Sequence, residues 1–192
     1  MELYAVAGMD FVRQVSSLGK RVFLDLKLYD IGETVKRATR KICETGIVDL
    51  LTVHGSKAIM RAAVEGRGIA STKLLAVTVL TSFDSEDMAD LGFPMPVSQL
   101  VELRVAKALE SGIDGIVCSP LEVARVRQIA GPNLKLVIPG VRSLGSSAGD
   151  QKRVATPKEA MYNGADYLVI GRQVTRAEDP RAAVNSILSE LE

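Results

Sequence analysis

The stretch FLDLKLYDIGETV, residues 23–35, decides how this chain is read. It opens as an apolar run and passes into the first turn of a helix, yet it carries Asp25, Lys27 and Asp30 within six residues. Strand alternation from Phe23 puts Asp25 and Lys27 on one face and Leu24, Leu26 and Leu28 on the other. A carboxylate beside an ammonium at the tip of a strand makes a partly desolvated ion pair. Such a pair is either chemical machinery or a purely structural salt bridge, and the pattern alone leaves both open. Asp30 falls beyond the strand, before a helix start expected around Thr34, within reach of a neighbouring site or subunit.

Five more apolar runs follow: VDLLTVH (48–54), KLLAVTVL (73–80), DGIVCSP (114–120), LKLVIPG (134–140) and DYLVIGR (166–172). With RVFLDLK (21–27) they read as parallel strands buried on both faces. Helical patterns lie between them, at 34–46, 97–112, 121–131 and 157–164. Gly46, Gly112 and Gly164 each stand just before a strand, which suits the left-handed residue closing a helix. GIVDLLTVH, GIDGIVCSP and GADYLVIGR echo one another, each a Gly, an acidic residue and then a strand. The strands recur roughly every 30 residues, the size of one strand–helix unit.

Alternating units admit a doubly wound sheet or a barrel. Polar residues end nearly every strand here: Lys27 and Asp30, His54, Thr81 and Ser82, Ser119, Arg142, Arg172. A doubly wound sheet concentrates such residues at one switch point, whereas a barrel spreads them around a rim. The expectation is a (β/α)8 TIM barrel, read as one domain over residues 1–192 with about six β/α units. A complete barrel has eight strands and usually about 250 residues, so the chain reads as two strands short.

Composition narrows the function. The 192 residues carry 24 basic and 23 acidic side chains, which gives no electrostatic footprint for nucleic acid or an anionic membrane. No apolar run is long enough to span a bilayer, and MELYAVAGMD has neither a basic leader nor a long apolar stretch. Cys43 and Cys118 lack metal-binding spacing and read as free thiols in a reducing cytoplasm, and a single histidine argues against a zinc site. No dinucleotide or P-loop fingerprint is present.

An anion must therefore be held locally. In GADYLVIGRQVT, Gly171 and Arg172 follow the last strand, and barrel phosphate sites favour the loops after the last two strands. The preceding strand leads into IPGVRSLGSSAGDQKR (138–153), where Arg142 and Gln151 bracket a Gly- and Ser-rich loop that suits a lid or, as the alternative, a disordered surface loop. His54 reads equally as a rim residue or a catalyst. Thr78, Thr81 and Ser82 suit a polar ring or a helix cap. Pro139 offers a rigid apolar surface, and Met60 and Met88 read as packing or surface residues.

DLKLYDIGET, with LTVH, VTVLTS, IPGVR, GDQKRVATP and GADYLVIGRQVTRAEDP in order, resembles the orotidine 5'-phosphate decarboxylase family over essentially the whole chain. The resemblance implies that Lys27 protonates C6 of the pyrimidine as carbon dioxide leaves and that Asp25 sits beside the substrate carboxylate. It implies a homodimer with shared active sites, Asp30 entering the partner's site accompanied by Ile31 and Thr34, with Thr34 touching ribose there. Thr81 and Pro139 would meet the pyrimidine, and Arg142, Gln151, Gly171 and Arg172 would hold the 5'-phosphate. The substrate would be orotidine 5'-phosphate and the product UMP, with no metal or organic cofactor. The family pattern also has an earlier ribose-binding Asp and a second Lys, so roughly 40 N-terminal residues of the eight-unit plan lack a counterpart here and the barrel reads as N-terminally incomplete. Gly32 stands where the pattern has Pro. Two other readings are a magnesium-dependent hexulose-phosphate synthase relative and a non-catalytic, phosphate-binding paralogue.

Overall fold

The apolar runs fold as parallel strands and the segments between them as helices. The computed structural model describes residues 1–143 and 154–192. In chain order the elements are α1 (Glu2–Ser17), β1 (Phe23–Leu28), α2 (Gly32–Glu44), β2 (Leu50–His54), α3 (Lys57–Arg67), β3 (Lys73–Val77), α4 (Ser85–Asp90) and α5 (Val97–Ser111). There follow β4 (Gly115–Val117), α6 (Val123–Ala130), β5 (Lys135–Ile138), α7 (Pro157–Tyr162), β6 (Tyr167–Leu168), α8 (Arg172–Thr175) and α9 (Pro180–Ser189). They fall into two compact units, Met1–Val77 with Lys107–Gly115, and Thr78–Ala106 with Ile116–Glu192.

Strand order follows chain order, β1-β2-β3 in the first unit and β4-β5-β6 in the second. That is the order of a barrel wall, whereas a doubly wound sheet reverses at its switch point. β2 and β3 run in unbroken parallel register from Leu50↔Lys73 to His54↔Val77. β1 differs: Leu24 pairs with Leu51 but Leu28 pairs with Val53, so β1 carries two extra residues against β2. The irregularity falls on the charged stretch.

Several boundaries depart from the sequence expectation. α2 begins at Gly32 rather than near Thr34. β3 ends at Val77 rather than residue 80. β6 has only Tyr167 and Leu168, because its partner β5 ends at Ile138 and the chain then turns through Pro139 and Gly140, where φ is +75°.

The sequence echo before β2, β4 and β6 has one physical cause. The Asp49 backbone N–H donates to the Val22 carbonyl at 2.9 Å, while its carboxylate accepts the Val22 N–H at 2.7 Å. Asp114 exchanges the same two bonds with Leu74, at 3.1 and 2.8 Å, and Asp166 with Leu136, at 2.9 and 2.8 Å. Each carboxylate also takes an arginine: Arg21 on Asp49, Arg67 on Asp114 and Arg127 on Asp166. Each acidic residue thus holds a backbone N–H and a backbone carbonyl of one residue earlier in its own unit. Arg127 further bridges the carbonyls of Gly131, Leu134 and Gly164. Burial raises the Asp166 carboxyl, but Lys135, the Leu136 N–H and Arg127 outweigh it, leaving the group below the usual aspartate range.

The first unit's core is built from Leu51, Val53, Leu74 and Leu75 of the strands with Val35 and Met60 of the helices. Gly66 lets α3 approach α2 closely, since a Cβ there would sit 2.2 Å from the Lys36 carbonyl oxygen. In the second unit the buried core includes Ile116, Leu136 and Ile138 of the strands and Met88, Val101, Val105 and Val126 of the helices. Gly46, Gly112 and Gly164 take the expected positive φ, at +67°, +74° and +107°.

Candidate active site

Asp25 and Lys27 meet at the tip of β1. Lys27 Nζ lies 2.6 Å from Asp25 Oδ2, and the two side chains keep 34% and 42% of their exposure. The backbone that brings them together is not a plain strand, because Lys27 has φ +54°, a left-handed conformation rare for a residue with a long side chain. That conformation sits where β1 carries its extra residues, and it turns the Lys27 N–H toward the Thr52 side chain. Thr52 Oγ1 accepts that N–H at 2.9 Å and donates to Asp25 Oδ1 at 2.8 Å. Thr52 is fully buried in the middle of β2, so one hydroxyl fixes the backbone of the lysine and the carboxylate of its partner. Local strain of this kind persists only where the surroundings over-determine it.

Beyond β1 the chain is open to solvent. Asp30 is exposed, and its Oδ1 accepts the Ile31 N–H at 2.6 Å. Tyr29 and Ile31, on either side of it, are 69% and 77% exposed. The Tyr29 ring stacks on His54 with centroids 4.1 Å apart, so the histidine at the end of β2 packs against the chain leaving β1. Thr34 is exposed on α2 and lines an open groove with Arg37, Ala38 and Lys41.

The second unit carries the other candidates. Thr81 is buried, and Pro139 is half-buried just after β5. The Arg142 N–H donates to the Ala155 carbonyl at 3.0 Å, and its guanidinium reaches the Val141 carbonyl at 2.7 Å. Val141 and Ala155 form a parallel bridge that joins the two ends of the loop region. Gly171 and Arg172 are both exposed, Gly171 just before α8 and Arg172 at its first residue. The neighbouring Gln173 is bonded twice to Ser143, beside Arg142. Gln151 and most of the expected lid lie outside the described residues.

The weaker candidates take structural roles. Thr78 Oγ1 donates to the Val117 carbonyl at 3.0 Å. Ser119 organises the turn after β4, its Oγ accepting the Leu121 N–H and its own N–H donating to Glu122. Met60 and Met88 are buried packing residues. Cys43 and Cys118 are buried and form no disulfide, and burial pushes the Cys43 thiol up despite Thr72 and Arg67. Among the described residues no helix is long and apolar enough to cross a membrane.

Sequence reasoning overlooked Thr52 and Gln173. A polar residue at the centre of LLTVH was the available sign for the first. Nothing in the sequence signalled the second.

Residues 1–187 match the model of the Orotidine 5'-phosphate decarboxylase / HUMPS family. The chain belongs to this family. Two relatives named orotidine 5'-phosphate decarboxylase show how near it stands to the family's named members. The protein of Rhodopseudomonas palustris strain BisA53 is 51% identical over 190 residues, covering 99% of this chain and 80% of the relative. That of Nitrobacter winogradskyi is 51% identical over 189 residues, covering 98% and 78%. The crystal structure of orotidine 5'-phosphate decarboxylase from Lactobacillus acidophilus superimposes with a TM-score of 0.81 at 33% identity, covering 96% of this chain and 81% of that one. The fold is accordingly that of the family's (β/α)8 barrel, of which the described residues supply six parallel strands.

Proposed function

We propose that this chain decarboxylates orotidine 5'-phosphate to UMP, a step of pyrimidine biosynthesis, as a cytoplasmic homodimer whose subunits share active sites. The observation that carries the reading is the Asp25–Lys27 pair at the tip of β1, locked from beneath by Thr52. Breaking the bond between C6 and the carboxylate carbon releases carbon dioxide and leaves the electron pair on C6. The ring delocalises that pair poorly, so the step needs a fixed positive charge at that carbon. The Lys27 ammonium stabilises the developing carbanion and then donates its proton to C6, becoming a neutral amine that solvent reprotonates. Asp25 holds the ammonium in place beside the departing carboxylate. The scheme uses no metal or organic cofactor.

Thr81 and Pro139 are assigned to the pyrimidine, Thr34 to ribose, and Arg142, Gln151, Gly171 and Arg172 to the 5'-phosphate. Phosphate lies far from the breaking bond, and its binding energy orients the substrate. Asp30, Ile31 and Thr34 are assigned to the partner's site. The exposed Tyr29 and Ile31 support this, since two large apolar side chains flanking one carboxylate suit a surface that a second subunit covers.

The test is to follow the ultraviolet change of orotidine 5'-phosphate with the wild-type chain and with Lys27→Ala. Wild type turns over and is indifferent to EDTA, while Lys27→Ala loses at least about 10³-fold in kcat but still binds UMP. A folded wild-type protein that binds UMP yet releases no carbon dioxide overturns the proposal.

A further inference from the structure

The side chain of Gln173 joins the segment leaving β6 to the segment leaving β5. The Ser143 N–H donates to Gln173 Oε1 at 3.2 Å, and Gln173 Nε2 donates to Ser143 Oγ at 2.6 Å. Both groups are partly buried. The pairing fixes the orientation of the amide, because only its oxygen can accept from a backbone N–H. Thirty residues of chain separate the partners, so the bond is a tertiary link rather than a local turn.

Its position gives it meaning. Ser143 follows Arg142, and Gln173 follows Gly171 and Arg172. Arg142 is also pinned on its other side, where its N–H donates to Ala155 and Val141 bridges to Ala155. The backbone of α8 is held by Gly171, whose carbonyl accepts from Val174 and Thr175. The amide of Gln173 therefore sets the spacing of the backbones that carry the two arginines.

We propose that Gln173 and Ser143 are positioning residues that clamp Arg142 and Arg172 into one preformed site for the substrate's phosphate. The proposal rests on the assignment of those arginines to the 5'-phosphate. Neither clamp residue needs to touch the ligand. Without the clamp, the two segments must be ordered at the moment of binding, which costs affinity for the phosphorylated ligand and leaves the chemistry at C6 intact.

The experiment compares UMP with uridine, the same nucleoside without its phosphate, by calorimetric titration of the whole chain, alongside steady-state kinetics with orotidine 5'-phosphate. Gln173→Ala is expected to weaken UMP binding and raise KM by about 5- to 20-fold, with kcat and uridine binding within about twofold of wild type. Ser143→Ala keeps the backbone bond and falls between the two. The double variant is no worse than Gln173→Ala, because both substitutions remove parts of one clamp. Unchanged UMP affinity in Gln173→Ala, additive losses in the double variant, or an equal loss for uridine each overturns the clamp. Wild type binding UMP no more tightly than uridine overturns the phosphate assignment itself, a distinct result read before any variant is made.

Discussion

Replacing Thr52 by Val removes one hydroxyl and almost no volume, and it strikes both halves of the Asp25–Lys27 arrangement. The lost bonds are the 2.9 Å contact from the Lys27 N–H and the 2.8 Å contact to Asp25. A hydrogen bond to a charged group contributes about 1.5–3 kcal/mol and a neutral one about 0.5–1.5 kcal/mol. Asp25 keeps 42% of its side-chain exposure, so water replaces part of what it loses and the low end applies. The Lys27 N–H is different, because a left-handed residue costs on the order of 1–2 kcal/mol and this bond helps to hold it there. Thr52→Val should therefore destabilise the protein by about 2–3 kcal/mol in urea unfolding. If the backbone at Lys27 relaxes, the ammonium leaves the place beside C6 that the proposed mechanism gives it. A shift of that size in barrier height lowers kcat by about 30- to 160-fold, with KM little changed. Thr52→Ser keeps the hydroxyl and should restore kcat to within about threefold of wild type. A well-folded Thr52→Val protein with wild-type kcat would refute the reasoning, as would a Ser variant no better than Val.

Shared active sites predict complementation: mixing inactive Lys27→Ala with inactive Asp30→Ala should recover about a quarter of wild-type activity, because half of the dimers are mixed and each has one intact site. No recovery after subunit exchange places Asp30 in its own subunit's site. At the strand bases, Asp166→Asn should cost about 2–3 kcal/mol at neutral pH, since it weakens the bonds to Arg127, Lys135 and the Leu136 N–H. Because Asp166 has a folded-state pKa below its unfolded value, its contribution is complete above about pH 4 and is lost as the pH falls through the folded value. The stability gap between wild type and Asp166→Asn should narrow in urea titrations on going from about pH 6 to about pH 3, and a constant gap would count against the ion pair.

How far the site was legible depended on how far apart its parts lie in the chain. Asp25 and Lys27 are two residues apart, and alternation alone put their side chains together. Alternation was right about the outcome but not about the path, because β1 reaches it through a left-handed Lys27 and two extra residues rather than a regular pleat. Arg142 and Arg172 were legible as polar residues after strands, because charge at the end of an apolar run stands out. Gln173 was not, because an amide beside an arginine looks like any solvated residue until its partner thirty residues away is known. β6 was read too long for a similar reason, since VIGR continues the apolar pattern although β5 has already turned away.

By itself the sequence determined the alternation of strands and helices, the helix-ending glycines, and the identity of the paired charges. These follow from side-chain period, from the conformational freedom of Gly, and from charges placed within one short segment. Only the tertiary structure decided that Thr52 joins Lys27 to Asp25, that Asp49, Asp114 and Asp166 hold Val22, Leu74 and Leu136, and that Gln173 holds Ser143. Each of those bonds spans at least 25 residues of chain. A hydroxyl, a carboxylate or an amide has no preferred partner until strand register and loop packing bring one within hydrogen-bond distance.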